Sequence, residues 1–272
     1  MWRGLYTAAI GMMSEMKRTD VISNNLANAN TNGYKKDITV HGEFESMLIR
    51  RAYDSRDDDA LVNWDVTRFR QFTVEDDRDP AIGRLGMGDY IDEIARDESQ
   101  GALETTGNQL DVAIIGNGYF AIQTDRGVRY TRDGAFFRNF QGVLQNVRGQ
   151  NVLDTQGQPI TIPPGTANIA FDEAGGVYAD NQLISQLQLV EFDDWRALHK
   201  EGDNLLVAQD GANPQPATGT VQQGVLEKSN TQIVSEMVEL IANQRQYEAN
   251  SKAVTTQDEM LEKSVNEVGN PT

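Results

Sequence analysis

The stretch IVSEMVELIANQRQYEANSKAVTTQDEMLEKSVNEV, residues 233–268, keeps one spacing throughout. Ile233, Met237, Leu240, Gln244, Tyr247, Ser251, Val254, Asp258, Leu261, Val265 and Val268 follow alternating steps of three and four. Eight of these eleven carry large apolar or aromatic side chains. The segment therefore reads as a helix with a narrow seam, not the broad stripe of a helix lying on a globular core. Ser229 or Asn230 offers an N-cap, and no proline interrupts before Pro271. The polar seam positions Gln244, Ser251 and Asp258 would weaken a two-stranded coil and instead fix register among several helices.

The other end repeats the theme. Trp2, Leu5, Ala9, Met12, Met16, Thr19, Ser23 and Leu26 keep the same steps, and six of the eight are apolar. The run Asn28-Ala-Asn30-Thr-Asn32-Gly33 ends this helix, with Gly33 suited to a left-handed C-terminal position. Between the ends the period changes. From about Leu110 to Val207, short apolar runs alternate with turn signals, and glycines 127, 134, 142, 149, 157 and 165 fall seven or eight residues apart. Asp125-Arg-Gly127, Asp133-Gly134 and Asp154-Thr-Gln-Gly157 are hairpin-like contexts. Strands are expected at Leu110–Ile115, Tyr119–Gln123, Ala135–Arg138, Asn168–Phe171 and Leu183–Phe192. No helical stretch separates them, so the sheet should be mainly antiparallel.

The expected fold is α+β: N- and C-terminal helices paired as a coiled-coil-like element, with a central, mainly antiparallel β domain. The segments are 1–36, a helical assembly segment; 37–84, an extended and partly ordered acidic insertion; 85–223, the β domain; and 224–272, a second helical assembly segment. Within the insertion, Asp54–Asp79 mixes acids with Trp64, Phe69 and Phe72.

Composition narrows the chemistry. The 272 residues hold 41 acids against 24 bases, a net charge of −17. Such a field repels nucleic acid and anionic membrane surfaces, so neither is expected as a partner. Cysteine is absent, which excludes disulfides, thiolate metal sites and thiol nucleophiles. No apolar run reaches the roughly 18 residues of a spanning helix. Ser14, Glu15, Lys17 and Arg18 interrupt the N-terminal apolar residues too soon for a cleaved signal.

Individual motifs yield no catalytic centre. Gly116-Asn-Gly118-Tyr-Phe-Ala121 matches a dinucleotide fingerprint, but strand-like residues follow it where a helix N-terminus is needed, so a tight turn between strands is the better reading. Asp54-Ser-Arg-Asp-Asp-Asp59 has Arg56 at the third position of a calcium loop and fails that template. His41 lacks a second histidine at helical spacing, and His199 reads as a surface side chain. No serine occupies a G-x-S-x-G elbow. The expectation is a non-enzyme without cofactor or metal.

The ends pose a physical problem that points to function. A pair of narrow seams leaves apolar surface wet and is marginal alone, so stable partners are expected in an assembly. A repeated heterologous contact that does not close builds a helical filament. Leu5, Met12, Leu26, Ile233, Met237, Leu240, Tyr247 and Leu261 are the expected assembly contacts. Asn24, Asn25 and Asn28 would bond backbone groups of neighbouring subunits. Gly33, Gly116 and Gly118 would supply backbone conformations that side chains forbid, and Gly134 is a further turn glycine. A carbohydrate-active or adhesive β protein is the rival class, with Trp64 or Trp195 lining a sugar site, but it has no need of two polymer-type helices.

Five stretches carry a resemblance. Ser23–Lys36 (SNNLANANTNGYKK, including Asn24, Asn25, Leu26, Asn28, Gly33 and Tyr34) is similar to the N-terminal signature of bacterial flagellar rod, hook and hook-associated axial proteins. Leu110–Ile122 (LDVAIIGNGYFAI), Tyr130–Phe136 (YTRDGAF), Gly224–Asn230 (GVLEKSN) and Met237–Val254 (MVELIANQRQYEANSKAV) resemble the flagellar basal-body rod proteins, in the family's order. Length and motif set resemble the distal-rod type most, ahead of the proximal-rod paralogue and the hook protein. Asp54–Asp79 departs from the family pattern. The resemblance implies a structural rod subunit that transmits torque from motor to hook, with terminal helices forming an inner tube and the β domain an outer layer. It implies as partners further copies of the chain, adjacent rod and hook proteins, and the flagellar type III export apparatus, which the chain would cross unfolded.

Overall fold

A computed structural model describes residues 2–43, 47–50, 81–85, 88–209 and 211–266. The acidic stretch 54–79, with its aromatics, lies outside the described residues, as does seam position Val268. One long helix stands at each end: α1 (Trp2–Ala27) and α2 (Ile233–Asn266). After α1 come β1 (Asp37–Glu43), β2 (Met47–Arg50), β3 (Ala81–Leu85), β4 (Asp89–Arg96), β5 (Leu103–Thr105), β6 (Val112–Ile115) and β7 (Tyr119–Thr124). Next are β8 (Gly127–Thr131), β9 (Phe136–Arg138), β10 (Leu144–Asn146), β11 (Asn151–Val152), β12 (Ile169–Phe171), β13 (Gly176–Ala179) and β14 (Gln182–Gln186). The last six strands are β15 (Leu189–Phe192), β16 (Leu198–Gly202), β17 (Leu205–Ala208), β18 (Pro214–Pro216), β19 (Thr220–Gln223) and β20 (Val225–Glu227).

The fold is α+β, with the β strands between the two helices. Among the described residues every strand pair with a defined register is antiparallel. The chain divides into two compact units, one of residues 1–18, 40–93 and 243–272, the other of 19–39 and 94–242.

In the second unit the largest sheet runs β16-β17-β8-β7-β11-β10-β9, with β15 on β7 and β18 on β15. The two-residue period of β7 places successive side chains on opposite faces. Phe120 enters one apolar cluster with Phe136, Ile114, Leu144 and Ile162, whereas Tyr119 enters another with Val190, Phe192 and Leu206. The Phe120 and Phe136 rings meet edge to face at 5.1 Å, and those of Tyr130 and Phe192 at 4.9 Å. Leu183–Phe192, read from sequence as one strand, is two. The chain leaves β14 after Gln186 and re-enters as β15, while the Leu187 side chain is buried in the first cluster.

Gly142, Gly149 and Gly157 of the regular spacing, together with Gly175, have a specific cause. Four turns, Asn139–Gly142, Asn146–Gly149, Asp154–Gly157 and Asp172–Gly175, share one construction. Oδ1 of the first residue accepts amide hydrogens two and four residues on: Gln141 and Val143, Arg148 and Gln150, Gln156 and Gln158, Ala174 and Gly176. The glycine amide returns to the first carbonyl at 2.9–3.0 Å, with φ between +74° and +87°. Asn or Asp supplies the side-chain clamp and Gly the left-handed exit. The Asp133-Gly134 context is different and is not a turn of this kind. Gly134 has no left-handed φ, and a Cβ there would overlap the Val112 carbonyl, so close packing demands the glycine.

In the first unit α1 and α2 run antiparallel. A Cβ on Gly4 would collide with the Gln257 amide, one on Gly11 would stand 2.9 Å from Asn250 Nδ2, and Asn243 Nδ2 donates to the Glu15 carbonyl at 2.8 Å. The facing positions are Gly4 and Gly11 on one helix and Asn243, Asn250 and Gln257 on the other. The residues of α1 with least exposure include Ala8, Ser14, Val21, Ile22 and Asn25. The inward stripe is thus offset by one position from the apolar seam read in the sequence. Small residues let the helices approach closely, and an apolar count passes over them.

Candidate functional site

Most of the sequence-flagged motifs meet in the second unit, between the end of α1 and β20. Gly33 starts the contact, with its amide donating to the Glu227 carbonyl at 2.7 Å. Its φ is +65°, and a Cβ would stand 2.5 Å from the Arg132 carbonyl carbon. Gly33 therefore seats a crossing of two chain segments. It does not end α1, which stops six residues earlier at Ala27.

Two residues on, Lys35 Nζ donates to Glu227 Oε1 at 2.6 Å and to the Ser99 carbonyl at 2.7 Å. Glu227 Oε1 also accepts from the Gly101 amide at 2.9 Å, and Oε2 accepts from Arg132 Nε at 2.9 Å. The Arg132 guanidinium spends its other donors on the carbonyls of Gly118 (2.5 Å) and Gly116 (2.6 Å). Side-chain exposure is 4% for Lys35, 6% for Arg132 and 1% for Glu227. Two cations thus share one carboxylate out of water. Burial pulls the Lys35 ammonium below the usual lysine range, against the opposing charge and hydrogen bond of Glu227.

Neighbouring residues extend the joint. Asn230 Oδ1 accepts from the Lys36 amide at 2.8 Å and its Nδ2 donates to the Asp97 carbonyl at 2.9 Å. Ser229 Oγ accepts from the Thr231 amide at 3.1 Å. Neither side chain caps α2, which begins only at Ile233. Lys200 Nζ donates to the Lys35 carbonyl and to Asp37 Oδ1, both at 2.8 Å, and lies 4.3 Å from the Tyr34 ring centre. Asn204 Nδ2 donates to the Asn32 carbonyl at 2.7 Å.

The asparagines bond within their own chain. Asn25 Nδ2 donates to the Asp37 carbonyl at 2.8 Å, and its Oδ1 accepts from the Asp37 amide at 2.9 Å and from the Tyr34 hydroxyl at 3.1 Å. Asn28 Nδ2 donates to the backbone and side-chain oxygens of Asn24. The bonds to neighbouring subunits expected of Asn25 are thereby corrected, since both of its amide atoms are engaged internally. Burial pushes the Tyr34 phenol well above the usual tyrosine range, helped by the charges of Asp37 and Glu236.

The remaining sequence-flagged positions fall as follows. Gly116 and Gly118 have φ +91° and +143° and make the tight turn between β6 and β7. Leu5, Met12, Leu26, Leu240 and Leu261 are half-buried, whereas Ile233, Met237 and Tyr247 are exposed. Beside them on α2, Val234, Val238 and Ile241 are 76%, 61% and 54% exposed. His41 Nδ1 lies 2.7 Å from Asp89 Oδ2, and His199 contacts Gln209. Among the described residues no group of three or more His, Cys, Asp or Glu side chains converges as a metal site would require.

Sequence reasoning passed over Lys35, Arg132 and Glu227 as individual residues and took Asn230 only for a helix cap. Their only local signal is a charged or amide residue inside a stretch otherwise apolar or glycine-rich, as in Tyr130–Phe136 and Gly224–Asn230.

Three family descriptions match the chain. "Flagella basal body rod protein" matches residues 5–35, "Flagellar hook protein FlgE/F/G D1 domain" residues 113–179, and "Flagellar basal body rod FlgEFG protein C-terminal" residues 222–267. Each matched span contributes one member of the buried charge triad: Lys35, Arg132 and Glu227. The chain is similar to the flagellar basal-body rod protein FlgG of Agrobacterium fabrum, 36% identical over 95% of this chain and 96% of that protein. It is 32% identical to the flagellar basal-body rod protein FlgF of Caulobacter vibrioides, over 97% of both chains. It is also 32% identical to the FlgG of Bacillus subtilis, over 98% of this chain and 99% of the relative.

Proposed function

Since the chain belongs to the family of flagellar basal-body rod proteins and is a structural component of that rod, we propose that it is a distal-rod subunit that polymerises through its terminal helices. The observation that carries this reading is the exposed apolar row Val234, Met237, Val238 and Ile241 at the start of α2. An aqueous helix face rarely keeps four such side chains together unless a partner covers them. On α1, Tyr6, Met13 and Met16 are exposed as well. Charge favours a match between these faces: Trp2–Ala27 carries three bases and two acids, Ile233–Asn266 three bases and six acids. The partner face is that of a second copy, and a contact that does not close on itself gives a helical tube.

Leu5, Met12, Leu26, Ile233, Met237, Leu240, Tyr247 and Leu261 remain the proposed interface set, joined by Val234, Val238 and Ile241. The buried joint around Glu227 ties the chain leaving α1 to the β domain. Torque reaching one would pass to the other through hydrogen-bonded charges. The same reading makes the chain a non-enzyme, a neighbour of other rod and hook proteins, and a passenger of the type III export apparatus. A chain without disulfides threads a narrow channel readily.

The test is assembly of the purified chain at rising concentration, followed by light scattering and cryo-EM. Regular tubes from the intact chain, and none after deletion of residues 1–30 or 226–272, support the reading. An intact chain that stays monomeric alone and with rod and hook neighbours overturns it.

A further inference from the structure

The joint between residues 32–37 and the β domain closes only at the end of the chain. Lys35 lies 192 residues from its carboxylate partner, and the Lys36 amide lies 194 from Asn230 Oδ1. Two further contacts of the segment, made by Lys200 and Asn204, come from 165 and 172 residues away. Arg132 is already anchored on its own hairpin neighbourhood through the Gly116 and Gly118 carbonyls. If Lys35 docked beside Arg132 before β20 arrived, two buried cations would face each other without the carboxylate that bonds both; Glu98, the other acid acting on Lys35, is engaged by Arg96 and Tyr119. Charge repulsion and loss of solvation both oppose that state.

We propose that Glu227 is an electrostatic gate: it makes docking of the segment after α1 onto the β domain conditional on β20 being in place. A chain whose C-terminal part has not yet joined the fold holds its N-terminal assembly segment off the β domain, so the ends become ready together. This rests on the assembly reading only for its purpose. The gate itself is a property of the monomer and is measured there.

The experiment is native-state hydrogen exchange on full-length monomer, comparing the Gly33 and Lys36 amides with those of Val112–Ile114 and Phe120–Ile122. Glu227→Gln keeps the shape and removes the charge. It should speed exchange at Gly33 and Lys36 by at least about tenfold, while the strand amides keep their protection. The double variant Lys35→Met with Glu227→Gln removes the repelled cation and should restore much of the lost protection. A merely structural hydrogen bond would not be rescued in this way. Unchanged exchange in Glu227→Gln overturns the proposal. So does a double variant no better protected than the single. Should Glu227→Gln fail to fold, the double variant must fold, and its failure would equally refute the gate. Polymerisation plays no part in these readouts, so failure of the assembly reading would be seen separately.

Discussion

Lys35 and Glu227 form an ion pair at 2.6 Å across 192 residues of sequence, with both side chains almost wholly withdrawn from water. The carboxylate also takes Arg132 and the Gly101 amide, so its lone pairs are well used. That degree of satisfaction is what a buried charge requires. The pair also places three chain segments in one register: the residues after α1, the β7–β8 region and β20.

Arg132→Lys is expected to destabilise the second unit by about 2–3 kcal/mol. A lysine ammonium cannot hold the Gly116 carbonyl, the Gly118 carbonyl and Glu227 in the fork geometry that a guanidinium provides. Urea unfolding followed by Trp195 fluorescence measures it. A change below about 0.5 kcal/mol, typical of a surface substitution, would refute the role.

Gly33→Ala and Gly149→Ala separate two reasons for glycine. Both positions have left-handed φ, +65° and +80°. A Cβ at Gly33 meets the Arg132 backbone, whereas one at Gly149 meets nothing within 4 Å. The second variant should cost about 1–2 kcal/mol for conformation alone, and the first about 1–3 kcal/mol more for the clash. Equal losses would show that the crossing yields to a methyl group without strain.

The buried tyrosines should make stability fall at alkaline pH, against Lys35 and Lys200, whose lowered folded-state values act in the opposite sense. Burial raises the phenols of Tyr34 and Tyr119 well above the ordinary value, with Asp37 and Glu98 the leading charged contributors respectively. A folded-state pKa above the unfolded one leaves stability intact below about pH 10, where both states hold the proton. Above it the unfolded state alone ionises, and stability declines as pH rises. Urea midpoints between pH 9 and pH 11.5 should show this decline, with a shallower slope in Tyr34→Phe. An identical slope in that variant would assign the decline to other groups.

How much of this was legible beforehand differs by element. The period of α2 and the seven-to-eight-residue glycine spacing stand in the sequence, because each repeats locally. Of the clamp residues only Asp154 stood in a turn flagged from sequence; Asn139, Asn146 and Asp172 escaped it. The face that α1 turns to α2 lies one position from the apolar seam, because Gly4 and Gly11 stand opposite Gln257 and Asn250, whereas apolar counting follows the larger Leu5 and Met12. Glu227, Lys35 and Arg132 could not be paired in advance, since nothing local encodes a contact across so much chain. The motifs containing them were nonetheless visible as a set.

Ile241→Glu should leave the monomer's stability within about 0.5 kcal/mol, because the side chain is already exposed. If the row it belongs to is an interface, burying a carboxylate in place of an isoleucine should raise the concentration needed for assembly by at least about tenfold. Urea unfolding of the monomer reads the first and sedimentation across a dilution series the second. Assembly at the wild-type concentration would remove this face from the contact.

Added salt should ease polymerisation. Each subunit brings a charge of −17, and stacking subunits accumulates it. Ionic strength near 0.15 M screens exposed charges beyond about 8 Å. Light-scattering half-times should shorten from 20 mM to roughly 200 mM salt; lengthening would mean that attractive surface pairs dominate.

The four clamped turns have a consequence for change over time. Each needs the side chain of its first residue only, an Asn or Asp, and a Gly at its last; the two between, such as Phe140–Gln141 and Val147–Arg148, join the clamp through backbone amides alone. Phe140 is fully exposed and Val147 largely so. The side chains at the tips are therefore free to vary while the hairpins beneath them keep their register. Its surface can change at these points while its fold stays the same.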